Sequence, residues 1–391
     1  MDLATARLLA SPEAAALLAG LDRYRPETAL AQAESLRGAG HPPDLVAAVL
    51  TQARLAGGTQ GRLAPWGHLL LLTEDGGQQA TRPVVARHRA RRFTASGIRS
   101  VADLGCGIGV DALALAEAGL TVRAVEQDPA TAELAGANAE RLGLANRVTV
   151  TVAAAQDVRL DDVAAVFADP SRRAGGRRIA DPAAWSPPLG WVLTRPLPEL
   201  AAKVAPGLAD DAVPADVERE VVSHHGHVVE AALYRGALRS PGVRRRATLL
   251  PSGATLTDAD LPTGGPRVGP LAGYLYEPDG AVIRAGLVAA VSDHVDGALV
   301  DPTLAYVTTA QAAETPFARR FQVEAVMPFQ LKRLRAALRE RDVGAVEIKT
   351  RGSAVDPEDL RRRLRLSGGQ VLTVVVTRVK GEPVAILARR G

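Results

Sequence analysis

The feature that most constrains this chain is a short apolar run, Val101-Ala102-Asp103-Leu104, that breaks into Gly105-Cys106-Gly107-Ile108-Gly109 and continues as a helical stretch over 110–118. Glycines at 105, 107 and 109 let the backbone turn tightly and approach a ligand closely. The helix that follows offers unpaired N–H donors in its first turn. Such a strand cannot stand alone: it needs parallel neighbours, each reached through a crossover helix. The sequence supplies them. Residues 122–126, 148–152 and 164–169 read as strands, 129–142 reads as a second helix, and 201–204 is a candidate fifth strand. The alternation predicts an α/β fold with a doubly wound, Rossmann-like sheet.

The rest of the chain divides around that sheet. Residues 1–66 read as a helical N-terminal domain. Ser11-Pro12-Glu13 starts one helix, 28–36 forms another, and Pro43-Asp44 opens a third that Gly57-Gly58 stops. Nothing there carries chemistry, so packing or docking is the expected role. The sheet domain spans 67–250. Near its end, 217–222 and 228–234 flank His225-Gly226 as a hairpin, and 247–250 follows; these are expected as antiparallel strands appended to the parallel sheet. The Gly-, Pro-, Thr- and Asp-rich start of 251–316 marks a connecting region. Residues 317–391 then read strand, helix, strand, helix and hairpin, a small two-layer α/β domain.

What would the glycine turn hold? A dinucleotide fingerprint wants G-x-G-x-x-G, but position 110 here is Val. Asp103 at the strand end would also repel a pyrophosphate. A ligand with a cationic portion fits better, and S-adenosylmethionine has both an ammonium and a sulfonium. Glu126 closes the next strand about 20 residues on, where nucleoside-binding α/β folds place a ribose partner. Asp157, after the third strand, is placed for an adenine amino group. Asp103-Leu104-Gly105-Cys106-Gly107, Val125-Glu126-Gln127-Asp128-Pro129 and Gln156-Asp157 together resemble the successive cofactor motifs of class I S-adenosylmethionine-dependent methyltransferases. The resemblance covers roughly residues 75 to 215 and implies that Asp103, Gly105, Cys106 and Gly107 face the methionine part. It also places Glu126 at the ribose, Asp157 at the adenine, and Gln79 and Thr81 over the methionine carboxylate, with Gln127 and Gln156 as further cofactor-binding residues. Cys106 is the only cysteine. It is expected to pack as a small residue of the turn rather than to act as a nucleophile, and it leaves no intramolecular disulfide and no cysteine-based zinc site.

The fourth strand runs into Phe167-Ala168-Asp169-Pro170-Ser171-Arg172-Arg173. Reactions on doubly wound sheets take place beyond the carboxyl ends of the strands. Asp169-Pro170 resembles the Asp-Pro-Pro-aromatic motif of methyltransferases that act on exocyclic amino groups, among them the trimethylguanosine-synthase-like and guanine-N2 enzymes of RNA. The resemblance implies that the Asp169 carboxylate and the Pro170 carbonyl accept hydrogen bonds from the acceptor amine. The sequence departs from the motif at Ser171 and at Arg172, which stands where a stacking aromatic belongs. Arg172, Arg173, Arg177 and Arg178 gather around Gly175-Gly176 and favour an anionic substrate. His224, His225 and His227 are expected on a hairpin surface rather than around a metal, and no metal is expected.

Charge is unevenly spread. From 319 to 391 there are 17 Lys and Arg against 8 Asp and Glu, net +9, which leaves −5 for the rest of a chain whose total is +4. This tail resembles the THUMP-like domain that accompanies a bacterial group of class I methyltransferases, on the strength of Glu347-Ile348-Lys349-Thr350-Arg351-Gly352 and Arg361-Arg362-Arg363-Leu364-Arg365. THUMP domains proper bind RNA in tRNA-modifying enzymes. Lys349, Arg351, Arg361, Arg362 and Arg363, with Arg172 and Arg173, are thus the candidate RNA-binding residues, and tRNA or rRNA the expected partner. No run of about 18 apolar residues suggests a membrane span, and the N-terminus lacks the pattern of a signal peptide; a cytoplasmic enzyme is expected. Two rival readings are a catalytically silent protein that binds cofactor and RNA, and a small-molecule methyltransferase.

Overall fold

The structure, a computed structural model, describes residues 1–391 apart from 22, 23, 60, 175, 176, 196 and 198, and apart from the side chains of 173, 174, 177 and 178. The chain forms two units: Met1–Ala205 with Ala232–Ser240, and Pro206–Ala231 with Pro241–Gly391.

The first unit opens with helices α1 (Leu3–Ala10), α2 (Pro12–Gly20), α3 (Ala29–Gly38) and α4 (Pro43–Thr59). Asp2 and Ser11 cap the first two, their side chains accepting from Thr5 and Ala14 N–H groups. Short α5 (Glu74–Gln79) and then α6 (Pro83–Ala95) lead into the sheet. Its strands are β1 (Ser100–Leu104), β2 (Thr121–Glu126), β3 (Val148–Val152) and β4 (Ala165–Ala168), with α7 (Val110–Glu117) and α8 (Pro129–Arg141) between the first three. A small hairpin, β5 (Arg173–Ala174) and β6 (Arg177–Arg178), and α9 (Leu189–Leu193) precede β7 (Leu200–Val204). The order β7-β4-β1-β2-β3 is parallel throughout. With helices over the sheet, β1, β4 and β7 read as nearly unbroken apolar runs. The order reverses direction between β1 and β4, so a crevice opens beyond their carboxyl ends.

The N-terminal helices belong to the same unit as this sheet. Ala6, Leu9 and Ala48 pack with Leu71 against Ala130, Leu134 and Ala137 of α8. Two buried amides then hold the segment before α5 as a strand partner would. Gln52 bonds Leu70 O and Leu72 N at 3.2 and 3.1 Å. Asn138 accepts from Leu71 N at 2.6 Å and donates to Leu71 O and Ile108 O at 3.0 Å each. The packing role expected of residues 1–66 thus takes a definite form: it fixes the chain that leads to Gln79 and Thr81.

The second unit holds β8 (Glu218–His224), the first part of β9 (His227–Arg235), β10 (Arg245–Leu250) and β11 (Ala254–Thr257). His225 (φ 51°) and Gly226 (φ 79°) form the expected tight turn between β8 and β9. The appended strands are not all antiparallel as expected: β10 runs parallel to β8, and only β11 opposes it. The hairpin returns the chain to the end where β8 began, and the connection 236–244 carries it to the free edge of β8. Next come β12 (Tyr274–Pro278), α10 (Gly280–Arg284), α11 (Val288–His294), β13 (Ala298–Leu299) and β14 (Val307–Thr309). The unit ends with β15 (Ala318–Pro328), α12 (Leu331–Glu340), β16 (Val343–Thr350), α13 (Pro357–Leu364), β17 (Gln370–Val379) and β18 (Glu382–Arg390).

The stretch 251–316, expected as a connection, therefore carries its own structure and gives three strands to the C-terminal sheet, whose order is β13-β14-β12-β15-β18-β17-β16. Leu334 and Leu338 of α12 and Leu360 and Leu364 of α13 cover one face. Leu275, Phe321, Val375 and Ile386 gather on the other with Val300 and Tyr306. The sheet is strongly curled, because Lys349 near the end of β16 reaches Glu277 on β12, with three strands lying between them in the order.

Candidate active site

The glycine turn is held from beneath by β2. Gly105 N and Cys106 N both donate to Val125 O, at 2.9 and 3.0 Å. Gly107 N donates to Glu126 Oε2 at 3.0 Å, and Asp128 N to Glu126 Oε1 at 2.9 Å. Glu126 thus ties the turn to the start of α8, and each of its oxygens keeps a second lone pair for a diol. Gly105 stands at φ 81°, and a Cβ there would lie 3.0 Å from the Asp169 carbonyl oxygen. Only glycine lets the turn lie against the end of β4. Gly109 caps α7 at φ 92°.

Asp103 is fully buried, and neither carboxylate oxygen has a hydrogen-bond partner among the described residues. An orphaned buried acid is costly unless something satisfies it. Burial raises its pKa well above the usual carboxylate range; Asp111 and Asp169 push the same way, while Arg89 and Lys203 oppose them. An ammonium placed there would supply both charge and donors. The residues present therefore fit S-adenosylmethionine: Asp103 for its ammonium, the turn's backbone beside it, and Glu126 for ribose hydroxyls. When bound, the cofactor supplies an activated methyl group.

The other expected cofactor residues differ in burial. Thr81 is buried, whereas Gln79 is exposed and its side chain donates to Asp75 at 3.3 Å. Gln127 is exposed beyond β2, and Gln156 and Asp157 are exposed in the short turn Ala155–Asp157 after β3. Cys106 is buried, and burial, with Asp103 and Glu126 nearby, raises its thiol well above the ordinary value. That environment disfavours the thiolate a nucleophile needs.

Asp169 is half-buried just past β4, and Pro170 is buried behind it. Asp169 N donates to Leu104 O at 3.0 Å, so the acceptor-side motif is stitched to β1 beside the glycine turn. A residue that sequence reading passed over completes the group. Lys203, on β7, sends its Nζ 2.7 Å from Asp169 Oδ2, 3.0 Å from Thr81 Oγ1 and 3.5 Å from Gln79 O. Its signal in the sequence was a single charge in the apolar strand Leu200-Ala201-Ala202-Lys203-Val204. Beneath the site, Arg89 pairs with Asp111 in the core and lies 4.4 Å over the Phe167 ring.

Ser171, where the acceptor motif departs, pairs through its backbone with Ser186. The Arg172 guanidinium lies 5.9 Å over the Trp185 ring, so an aromatic does stand beside the motif, supplied from further along the chain. Trp185 is itself buried and donates to Ile179 O at 3.2 Å. The side chains of Arg173, Arg177 and Arg178, and Gly175-Gly176, lie outside the described residues. His224 and His225 touch ring to ring at the hairpin, but among the described residues no group of three or more His, Cys, Asp or Glu converges as on a metal.

The basic residues of the tail fall into two kinds. Lys349 sits in the curl of the sheet, 2.7 Å from Glu277 and 3.2 Å from Glu347. Arg351 is half-buried, 5.5 Å over the ring of Tyr306. Burial, then the charge of Glu277, pushes that phenol up to about 12. Arg361, Arg362 and Arg363 are exposed on α13 and pair with Glu358 and Asp359 of the same helix. Beside them Lys332, Arg333, Arg339 and Arg365 are exposed with no ion pair among the described residues.

A parallel sheet with a glycine turn at its switch point, an orphaned buried acid and a ribose-type carboxylate defines a nucleoside-cofactor enzyme of the Rossmann-like class. Comparison with known proteins agrees. Over 352 residues the chain is 39% identical to an uncharacterised S-adenosylmethionine-dependent methyltransferase of Mycobacterium tuberculosis, found in strains CDC 1551 / Oshkosh and ATCC 25618 / H37Rv; the match covers 86% of this chain and 93% of that protein. Residues 318–390 match the family described as THUMP domain-like, and residues 2–55 match a domain of unknown function, DUF8688. The crystal structure of a candidate methyltransferase from Porphyromonas gingivalis W83 shares the fold, with TM-score 0.72 at 23% identity over 100% of this chain and 99% of that one. The chain belongs to the S-adenosylmethionine-dependent methyltransferases, as a class I enzyme with a THUMP-like C-terminal domain.

Proposed function

We propose that this enzyme methylates RNA, a tRNA or rRNA, at a base nitrogen, and that it works in the cytoplasm. The observation that carries the reading is the place of Asp169: at the switch point, against the glycine turn, with one oxygen fixed by Lys203. The other oxygen and the Pro170 carbonyl receive the acceptor amine and aim its lone pair at the methyl group, so that positioning does most of the catalytic work. The bound cofactor would supply the methyl group to that nitrogen, and the proton lost by the amine would pass to solvent. Asp103, Gly105, Cys106 and Gly107 hold the methionine part, with Gln79 and Thr81 at its carboxylate. Glu126 holds the ribose and Asp157 the adenine, with Gln127 and Gln156 as further cofactor-binding residues.

RNA is supported by the THUMP-like match and by the charge of the tail. The pairs on α13 are exposed, and exposed pairs are worth only about 0–1 kcal/mol, so phosphate competes for their arginines. Few aromatics are present there for base stacking, which favours a clamp on structured RNA over a single-strand reader. Arg172 and Arg173 meet the substrate at the mouth, and no helix among the described residues is long and apolar enough to cross a membrane. The test is transfer of labelled methyl from the cofactor into RNA from cells lacking the gene. Asp169→Ala should abolish transfer and leave cofactor affinity within about twofold. Equal activity in the variant removes Asp169 from the mechanism; label in a small-molecule fraction instead of RNA replaces the substrate.

A further inference from the structure

Lys203 touches both halves of the reaction. Its ammonium has three donors, and it stands within reach of three acceptors on two different segments: Asp169 Oδ2 after β4, and Thr81 Oγ1 and Gln79 O before α6. The lysine side chain is only 9% exposed, and that of Asp169 28%. A buried lysine is expensive unless it is paired and hydrogen-bonded, and its place in an otherwise apolar strand serves no packing need that leucine would not meet.

The hydrogen bonds have a direction. An ammonium only donates, so Thr81 Oγ1 must accept from Lys203. The hydroxyl hydrogen of Thr81 is then left to point elsewhere, and no described residue accepts it. Asp169 Oδ2 is likewise engaged, which leaves Oδ1 as the oxygen offered to an acceptor. One cation thus sets the polarity of a buried hydroxyl on the cofactor side and the orientation of a carboxylate on the acceptor side.

We propose that Lys203 is a positioning residue for methyl transfer: it turns the Thr81 hydroxyl into a donor toward the cofactor's methionine carboxylate and fixes Asp169 for the incoming amine. This rests on the reading of Asp169 given above, but half of it can be tested without any acceptor. S-adenosylmethionine and its decarboxylated analogue differ at the carboxylate that Thr81 would receive. Calorimetric titration of the full-length protein with each gives a preference ratio. Lys203→Met should shrink that ratio roughly 5- to 10-fold, as should Thr81→Val, while Lys203→Arg keeps most of it.

The second half uses transfer into RNA from cells lacking the gene. Lys203→Met should lower kcat roughly 100-fold with little change in KM for RNA. In an Asp169→Asn background the same change should cost almost nothing more, because the lysine acts through that carboxylate. Thermal melts of each variant, and the milder Lys203→Arg, separate these effects from loss of the fold. An unchanged preference ratio, or losses at 203 and 169 that simply multiply, overturns the proposal. If the wild-type enzyme puts no label into RNA, the RNA reading falls, and the preference ratio alone decides the role of Lys203.

Discussion

Consider the replacement of Asp103 by Asn. The wild-type carboxylate is fully buried without a hydrogen-bond partner among the described residues, and burial together with Asp111 and Asp169 raises its pKa, against the opposing charges of Arg89 and Lys203. Hydrogen bonds to a charged group are worth about 1.5–3 kcal/mol. Losing the charge opposite the cofactor's ammonium should therefore weaken S-adenosylmethionine binding by roughly 10- to 150-fold. The same substitution should stabilise the protein without cofactor. A carboxyl whose folded pKa lies above its unfolded value favours folding in its protonated form, so wild-type stability falls as pH rises from about 4 toward the folded pKa. Asn does not titrate. The advantage of the variant should be near zero below pH about 4, grow through that window and then level off. Calorimetric titration gives the affinity, and thermal melts across pH give the stability. A variant that binds cofactor normally, or melts below wild type at neutral pH without cofactor, refutes the account of Asp103 as an acid kept unsatisfied for a cation.

Two further predictions separate the basic residues of the tail. Lys349→Met leaves Glu277 uncompensated in the curl of the sheet and should cost about 3 kcal/mol in urea unfolding, with the salt dependence of RNA binding unchanged. Replacing Lys332, Arg333, Arg339 and Arg365 by Gln should do the opposite: stability should stay within about 0.5 kcal/mol, while the logarithmic salt slope of RNA binding should drop by roughly one for each phosphate no longer neutralised. A steep slope that survives all four changes removes these four residues from the phosphate contacts and leaves Arg361, Arg362 and Arg363 to carry them.

The strands of the first sheet could be read from the sequence because they are short apolar runs spaced by amphipathic helices. β1, β2, β3 and β4 fall within a residue or so of their expected bounds. The cofactor centre was legible for a related reason: Asp103, the glycines and Glu126 lie close together along one strand-turn-helix-strand path. Lys203 was not, because its partners Asp169 and Thr81 lie 34 and 122 residues away in the chain. Lys349 reads as a free surface cation for the same reason. Its acid, Glu277, comes from a stretch whose glycines and prolines suggest a connection. Composition registered the turns of 251–316 but not the short strands between them: β12 forms against β15, β14 against β12 and β13 against β14. The direction of β10 is likewise set by which edge was open, and no local pattern encodes it.

The curl of the C-terminal sheet also bears on how this protein can be dissected. Residues 318–390 carry the family match, but the sheet they form continues into β12, β14 and β13. A fragment cut at 318 would bare the edge of β15, an eleven-residue strand, to solvent. It would also separate Lys349 from Glu277 and Arg351 from Tyr306. A long bare edge invites pairing between chains, so such a fragment should self-associate. A graft of this module onto another enzyme should start upstream of Tyr274, where the sheet itself begins.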